Sequence, residues 1–451
     1  MFGMRPSPGD RFAYSVRQQM RITPLGCWPG NVADTLHCGR RSASSPLVAK
    51  ILYATQWYDP EPNIIKGPEF VDALRRGGHT VDVLTGLPNY PTGRIYPGYR
   101  IRAFQEEAIA GAAVKRLPLY PSHNASSFGR SLNFISFFMS VLIYLAFRGY
   151  RYRTWYVYHP PITVGLAAAI VSLFVRRPFI LEIQDLWPDS VVASHMAGTK
   201  RVVWVLSALC NFTYARAARI VVQSQGIADR LQSRGVPASK IRLIRNWADA
   251  TAAQLPSPNR EAHGMSNKFT LVYGGNLGRM QALKTALEAM AQLESEQVEA
   301  ELVLIGDGID RGALQSYANR LRLSNVRFVE RVPQEQIGGW FAAADALLLH
   351  IAQDRLFTIT IPSKTQYYLA CGKPIIAGIE GEAAEMLIRS EAAVVVPPQD
   401  ASALAGAIKK LASLPQADRA QMGVAGSAYY NEHLSFSRGI EATMKVIEEI
   451  L

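Results

Sequence analysis

The sequence predicts an α/β chain built of two doubly wound, mainly parallel sheets in tandem, and three observations carry that expectation. Short β-branched or aromatic runs alternate with helical segments from Leu47 onward. A polar, proline-containing stretch, 251–267, divides the alternation into two sets. The 451 residues also exceed what one hydrophobic core serves, so two domains are the natural division.

Residues 1–46 carry scattered Arg, Pro and Gly, no sustained period and no apolar signal-peptide core; they are read as a disordered extension or an over-long start. The first domain is expected over 47–250. VAKILYATQ reads as a buried strand, EFVDALRRGGH as a helix ending at Gly77-Gly78, and TVDVLTG as a second strand, which together make a βαβ unit. TWYVYHPP, PFILEIQD and RIVVQSQ continue it. After the linker, FTLVYGG, AELVLIGDG, VRFVER, ALLLHI, KPIIAG and AAVVVPP supply a second domain over 268–430, and 431–451 a terminal helix. Open α/β sheets bind ligands at the carboxyl ends of their strands, so the two halves are expected to face each other across a cleft.

Charged residues make up 19% of the chain and hydrophobic ones 49%, a globular balance, and the net charge of +12 suits an anionic partner. Nucleic acid is the least favoured partner, because the arginines form no aromatic-interleaved groove pattern. Cys27, Cys38, Cys210 and Cys371 show neither metal-ligand nor disulfide spacing; no metal site and a reducing cytoplasmic setting are expected. SLNFISFFMSVLIYLAF, 131–147, is uncharged and flanked by Arg130, Arg148, Arg151 and Arg153. It falls short of the roughly 20 residues that span a bilayer. No span is expected; the stretch is read as a core helix or as an interfacial one resting on an anionic leaflet.

The chemistry gathers at turns in the second domain. GGNLGRMQALK places Gly275, Asn276, Gly278 and Arg279 between a strand end and a helix start, with Lys284 five residues on. Glycines let backbone approach a phosphate, helix-start amides receive it and cations neutralise it. The turn is not GxGxxG and lacks the Lys-Ser/Thr ending of a triphosphate P-loop. TIPSKTQ puts Ser363 and Lys364 at another helix start, where the dipole already favours an anion. Together the two turns make a diphosphate site. In the first domain, Asp185 follows a buried strand where a carboxylate could orient or deprotonate an acceptor hydroxyl, although a turn or N-cap role also suits it. Glu182 is expected on the opposite face. The turn at His159, before Pro160-Pro161, is expected to border the cleft, with a structural and a functional role for the histidine equally open.

ILYATQWYDPEP, ILEIQDLWPDS, IRNWAD, YGGNLGRMQAL, LIGDG, IPSKTQYYLACGKPIIAG and VVVPPQDASALAGAI resemble, in order, the motifs of family-4 type retaining glycosyltransferases with the GT-B fold. The resemblance runs from about Val48 to the end and is closest to the branch that builds colanic acid, O-antigen and similar surface polysaccharides, fucosamine transferases included. It implies that Gly275 to Arg279 form the donor-diphosphate loop with Lys284 as second cation. By the same resemblance Ser363 and Lys364 lie beside the nucleotide, Gly306, Asp307 and Gly308 near its base, and Glu382 and Glu385 follow the Gly-Lys-Pro turn. The glutamate pair of many relatives is replaced by Ile359 and Tyr367, their His-Asp by Gln184-Asp185, and their first-loop glycine pair by Gly67 alone. The expected reaction moves a sugar, with retention, from a UDP- or GDP-linked donor to an acceptor. Nothing beyond that co-substrate is expected as cofactor. The expected acceptor is a saccharide on undecaprenyl diphosphate, with the protein peripheral on the inner face of the cytoplasmic membrane. A nucleotide-sugar epimerase and a non-catalytic polysaccharide-assembly protein are the alternatives.

Overall fold

The computed structural model of the chain describes residues 48–451 apart from 63–64, 123–126, 160, 191–199, 250–251 and 253. The expectations for residues 1–46 lie outside these. The first domain runs β1 (Lys50–Ala54), α1 (Pro68–Arg76), β2 (Thr80–Gly86), β3 (Gln105–Ile109), β4 (Ala112–Leu117), α2 (Ser127–Arg148) and β5 (Thr154–His159). It continues with α3 (Ile162–Val175), β6 (Phe179–Ile183), α4 (Lys200–Arg216), β7 (Arg219–Val222), α5 (Gln225–Ser233) and β8 (Ile241–Leu243). Its strands pair in the order β3-β4-β2-β1-β5-β6-β7-β8, all parallel except the β3-β4 hairpin. The strands read as continuous apolar runs because both faces are covered by helices or loops.

The second domain runs β9 (Phe269–Gly274), α6 (Lys284–Ser295), β10 (Ala300–Ile305), α7 (Arg311–Arg320), β11 (Val326–Val329), α8 (Gln334–Ala343) and β12 (Ala346–His350). Then come α9 (Arg355–Thr358), α10 (Ser363–Cys371), β13 (Ile375–Gly378), α11 (Glu382–Arg389), β14 (Ala393–Val396), α12 (Ala401–Ser413), α13 (Gln416–His433) and α14 (Phe436–Glu448). The all-parallel order β11-β10-β9-β12-β13-β14 reverses direction between β9 and β12. The crevice at such a reversal opens beyond the carboxyl ends of the strands, which is where the β9 loop stands.

The helix α2 is 22 residues long, longer than the uncharged stretch read from the sequence. By length and composition it is long and apolar enough to cross a bilayer, and it is the one such helix among the described residues. Its Phe137, Val141 and Leu145 are nonetheless buried in the first-domain core beside Leu52, Leu84 and Trp155.

The last helix crosses back. Ile440, Met444 and Ile447 of α14 pack into the first-domain core with Ile51, Phe70 and Trp247. Arg219 and Arg242 clasp Glu449, and the hydrogen bond from Arg242 heads the causes that hold its carboxyl down at about 2. Arg153 donates to the Leu451 carbonyl at 2.6 Å. The closest approach is at Gly439, where a Cβ would lie 2.2 Å from the Trp247 indole. Gly439→Val therefore drives a branched side chain into a filled space and is expected to cost about 2 kcal/mol by overpacking. A lowered urea midpoint checks this; an unchanged midpoint would mean that Trp247 moves freely.

Candidate functional site

Three loops of the second domain meet at the carboxyl ends of its strands. The β9 loop begins at Gly275 (φ +141°) and the β10 loop at Gly306 (φ +142°). They run back to back so closely that a Cβ on Gly306 would fall 1.9 Å from the Gly275 carbonyl oxygen, and one on Gly308 2.4 Å from that of Leu277. Only glycine fits such φ values and contacts. The pairing is fastened by Gly275 N–H donating to the Ile305 carbonyl (2.9 Å) and Leu277 N–H to that of Asp307 (2.8 Å). The third loop leads into α10, whose Ser363 and Lys364 open the helix after Pro362.

Lys364 reaches back over the β9 loop. A Cβ on Gly275 would lie 2.6 Å from the Lys364 Nζ, and the ammonium sits 5.0 Å from the centre of the Tyr273 ring. Tyr273 is itself held by its hydroxyl, which donates to the Asn276 carbonyl at 2.7 Å. Neither an ion pair nor a hydrogen bond reaches the Lys364 ammonium from the described residues. Loss of hydration without a compensating carboxylate pulls its pKa down to about 8. A desolvated cation beside glycine amides and a helix start is an anion site in waiting.

These residues border an interdomain cleft of about 730 Å³. Gly275, Asn276, Gly306, Asp307, Ser363 and Lys364 line it. The first domain contributes Tyr158, Trp247 and Asp249, and α8 with its approach contributes Arg331, Gln334 and Phe341. Tyr367, at one position of the replaced glutamate pair, lines the cleft and meets Phe341 edge-on. Ile359, at the other, packs on Gly226 of the first domain, and its carbonyl accepts the Ser224 hydroxyl at 2.6 Å.

Other residues singled out in the sequence lie elsewhere. Arg279 stands exposed on the short turn after the β9 loop and is not part of the cleft wall. Gly278 is buried under that turn, its N–H on the Gln281 side chain. Lys284, expected as a second cation, instead pairs with Glu288 at 3.3 Å and rests over the Tyr317 ring, the ordinary i,i+4 outcome on a helix surface. Glu385 pairs in the same way with Arg389 at the surface.

Glu382, also expected at the donor, is spent on the other domain. Its carboxylate accepts the Gln225 and Gly226 amides at the start of α5, both at 2.9 Å, and pairs with Arg245. It bridges the two domains by placing an anion on a helix N-terminus. Gly67 caps the start of α1 with ordinary extended angles, so no left-handed turn demands glycine there.

Asp185 follows β6, open to solvent but walled by protein, and loss of hydration raises its pKa. Burial, then the Glu182 charge and last the Asp185 charge raise the pKa of the cleft residue Tyr158, while Asp185 itself is not among the residues that line the cleft. His159 is fully buried, its ring edge-on to Trp187, and burial lowers its pKa to about 3, so it stays neutral. Glu182 does face away from Asp185: it pairs with the buried Lys66 at 3.2 Å and accepts the Tyr156 hydroxyl. Lys66 in turn lies 4.2 Å over the ring of Trp247.

Sequence reasoning singled out neither Trp247 nor His350. His350 holds the turn after the β9 loop from behind, its Nδ1 2.8 Å from the Gln281 carbonyl and its Nε2 accepting the Gln399 amide, which together define a neutral tautomer. No local spacing signals a histidine whose partners are 69 and 49 residues away. Trp247 lay within a recognised motif, IRNWAD, but nothing in that motif shows that it will floor a cleft.

Residues 68–247 match the family described as glycosyl transferase 4-like domain, and 268–413 match glycosyl transferases group 1. The chain is 25% identical over 244 residues to the probable glycosyltransferase WbjE of Pseudomonas aeruginosa; the match covers 52% of this chain and 60% of that protein. It is 23% identical over 363 residues to the putative colanic acid biosynthesis glycosyl transferase WcaI of Escherichia coli, covering 77% and 88%. Among solved structures, Anabaena HepE in complex with UDP and glucose superposes with a TM-score of 0.64 at 17% identity, covering 89% of this chain and 100% of that one. A sucrose-phosphate synthase of Thermosynechococcus elongatus gives 0.64 at 18%, covering 89% and 98%. These likenesses concern the fold.

Two outcomes are expected from this geometry. Lys364 is charged below its pKa of about 8 and loses its proton as the pH rises through it, so affinity for a diphosphate anion is present below that pH and lost above it. Calorimetric binding of UDP should be flat below pH 7 and weaken by up to about tenfold per pH unit above 8, while Lys364→Arg should remove the dependence. A wild-type profile flat to pH 9.5 would contradict it. A double-mutant cycle of Arg245→Ala and Glu382→Ala should show a coupling of about 1 kcal/mol in urea denaturation, against none for two independent surface charges.

Proposed function

Because the chain belongs to the family-4 type glycosyltransferases of GT-B fold, we propose that it moves a sugar from a nucleoside diphosphate donor to a lipid-linked saccharide in bacterial surface polysaccharide synthesis. The observation that carries this is the Lys364 ammonium, desolvated and without a carboxylate partner, over the glycine loop that borders the cleft. The name of WcaI, a colanic acid glycosyltransferase, supports the polysaccharide setting, and UDP bound to HepE supports a nucleotide-sugar donor.

In this reading the diphosphate lies against the Gly275 and Gly306 loops and the start of α10, with the nucleoside toward Asp307, Arg331 and Tyr367 and the sugar toward Tyr158 and Asp185. The bond between the anomeric carbon and the β-phosphate oxygen breaks, and the electron pair leaves with the diphosphate. Lys364 and the helix-start amides stabilise that growing charge, so the leaving group departs as the nucleoside diphosphate anion. The acceptor hydroxyl attacks the anomeric carbon on the face that the diphosphate vacates, which retains configuration, and surrenders its proton. Asp185 orients the hydroxyl and takes that proton, its raised pKa making it the stronger base. Retention and the undecaprenyl diphosphate carrier rest on the family resemblance. Arg279, exposed on the turn beyond the β9 loop and outside the cleft wall, is given no role at the diphosphate in this reading.

The test is acceptor-dependent release of nucleotide from UDP- and GDP-sugars. Lys364→Ala should lower kcat/KM by about 100-fold or more, as loss of one preorganised charge contact does. Asp185→Asn should lower kcat with little change in donor affinity. An altered sugar nucleotide formed without acceptor would make the protein an epimerase, and no turnover with any donor would make it a non-catalytic assembly factor; either ends the proposal.

A further inference from the structure

We propose that the outer face of α2, α3 and α4 is a docking surface for an anionic lipid bilayer. The three helices lie side by side on one face of the first sheet, α2 on α3 and α3 on α4. Their inner sides are core. Along the outer side of α2, Ile135, Met139, Ile143 and Phe147 recur at every fourth residue, all exposed, and Phe128 near its start is 80% exposed. The end of α3 adds Leu173 and Phe174, the latter 80% exposed, and α4 adds Trp204 at 72%. A helix that faces water carries polar residues on that side, and an apolar exposed face of this extent marks an interaction site.

Charge identifies the occupant. Neither 127–177 nor 200–216 contains a single Asp or Glu, whereas Arg148, Arg151, Arg176, Lys200 and Arg201 are exposed around the apolar residues. Water-facing surfaces intersperse both signs. A rim of one sign around aromatic and aliphatic centres complements acidic headgroups, with Trp and Phe at the depth of the acyl boundary. A second copy of the chain fits worse, because a two-fold contact would set this cationic rim against itself. Arg153 is outside the rim, being tied to the Leu451 carbonyl.

The mode is flat rather than spanning. For α2 to cross the bilayer, Phe137, Val141 and Leu145 would have to leave the first-domain core, where they are at most 1% exposed. The inference goes beyond the sugar-transfer reading, since docking requires neither donor nor acceptor.

The experiment floats the full chain through a density gradient with vesicles of phosphatidylcholine alone or mixed with phosphatidylglycerol. The protein should rise with the anionic vesicles only, and several-fold less of it in high salt. The pair Phe174→Glu/Trp204→Glu and the set Arg148→Glu/Arg176→Glu/Arg201→Glu should each cut the floated fraction by about tenfold. Their thermal melts should match the wild type, because every altered side chain is exposed. Wild type that stays down with both vesicles overturns the proposal, as do variants that float like wild type. A dimer in sedimentation that Trp204→Glu dissolves, with no flotation, would assign the face to a second copy and overturn it equally. Failure of the sugar-transfer reading shows separately, as flotation intact but no nucleotide released with a water-soluble acceptor.

Discussion

The site depends on one close approach: a lysine ammonium lying where glycine leaves no side chain. Gly275 must be bare for Lys364 to cross it, and Gly306 must be bare for the β9 and β10 loops to lie back to back. The cation is thereby stripped of part of its water without receiving a carboxylate in exchange, and its depressed pKa records the unmet demand. Among the other described residues, the buried Lys66 and Arg116 are answered internally, by Glu182 and Glu107. The contrast separates a charge left without a carboxylate partner from charges that serve the fold.

The second constraint is how the two sheets are kept facing. Glu382 reaches from one domain to the helix start and arginine of the other, Ser224 bonds the Ile359 carbonyl, and Ile359 sits on the bare backbone of Gly226. Within the first domain, Asn246 links Gln184 to Gln223 in a closed amide network. The position at which many relatives carry a glutamate is thus occupied here by an interdomain contact, and its partner position by an aromatic ring.

The fold was legible because alternation of short apolar strands with helices is a local property, repeated often enough along the chain to outweigh ambiguity in any one run. The boundaries of α2 were less so: its helix extends past the uncharged stretch to Ser127 and Arg148, since nothing in Gly129, Arg130 or Arg148 terminates a helix strongly enough. At the site, Gly275 and Lys364 could be singled out because glycine before a helix and lysine at a helix start have local physical meaning, whereas Gly306 came only from the resemblance of LIGDG to a family motif. Lys284 and Glu382 could not be placed in the same way. A cation or carboxylate in a first helical turn has several partners within reach, and Glu288 or the distant α5 start wins through three-dimensional proximity that spacing does not encode. Trp247 and His350 were missed for the same reason, their partners lying far along the chain.

The return of α14 to the first sheet carries a consequence for biosynthesis. Trp247 and Phe70 need Phe436 and Ile440 as neighbours, yet those arrive nearly two hundred residues after Trp247 leaves the ribosome. At roughly 5–20 residues per second the amino-terminal lobe waits on the order of ten seconds or more with one flank of its core uncovered. Its maturation is therefore coupled to completion of the carboxyl-terminal lobe, and severing the chain at the linker would yield a first half permanently lacking part of its own interior.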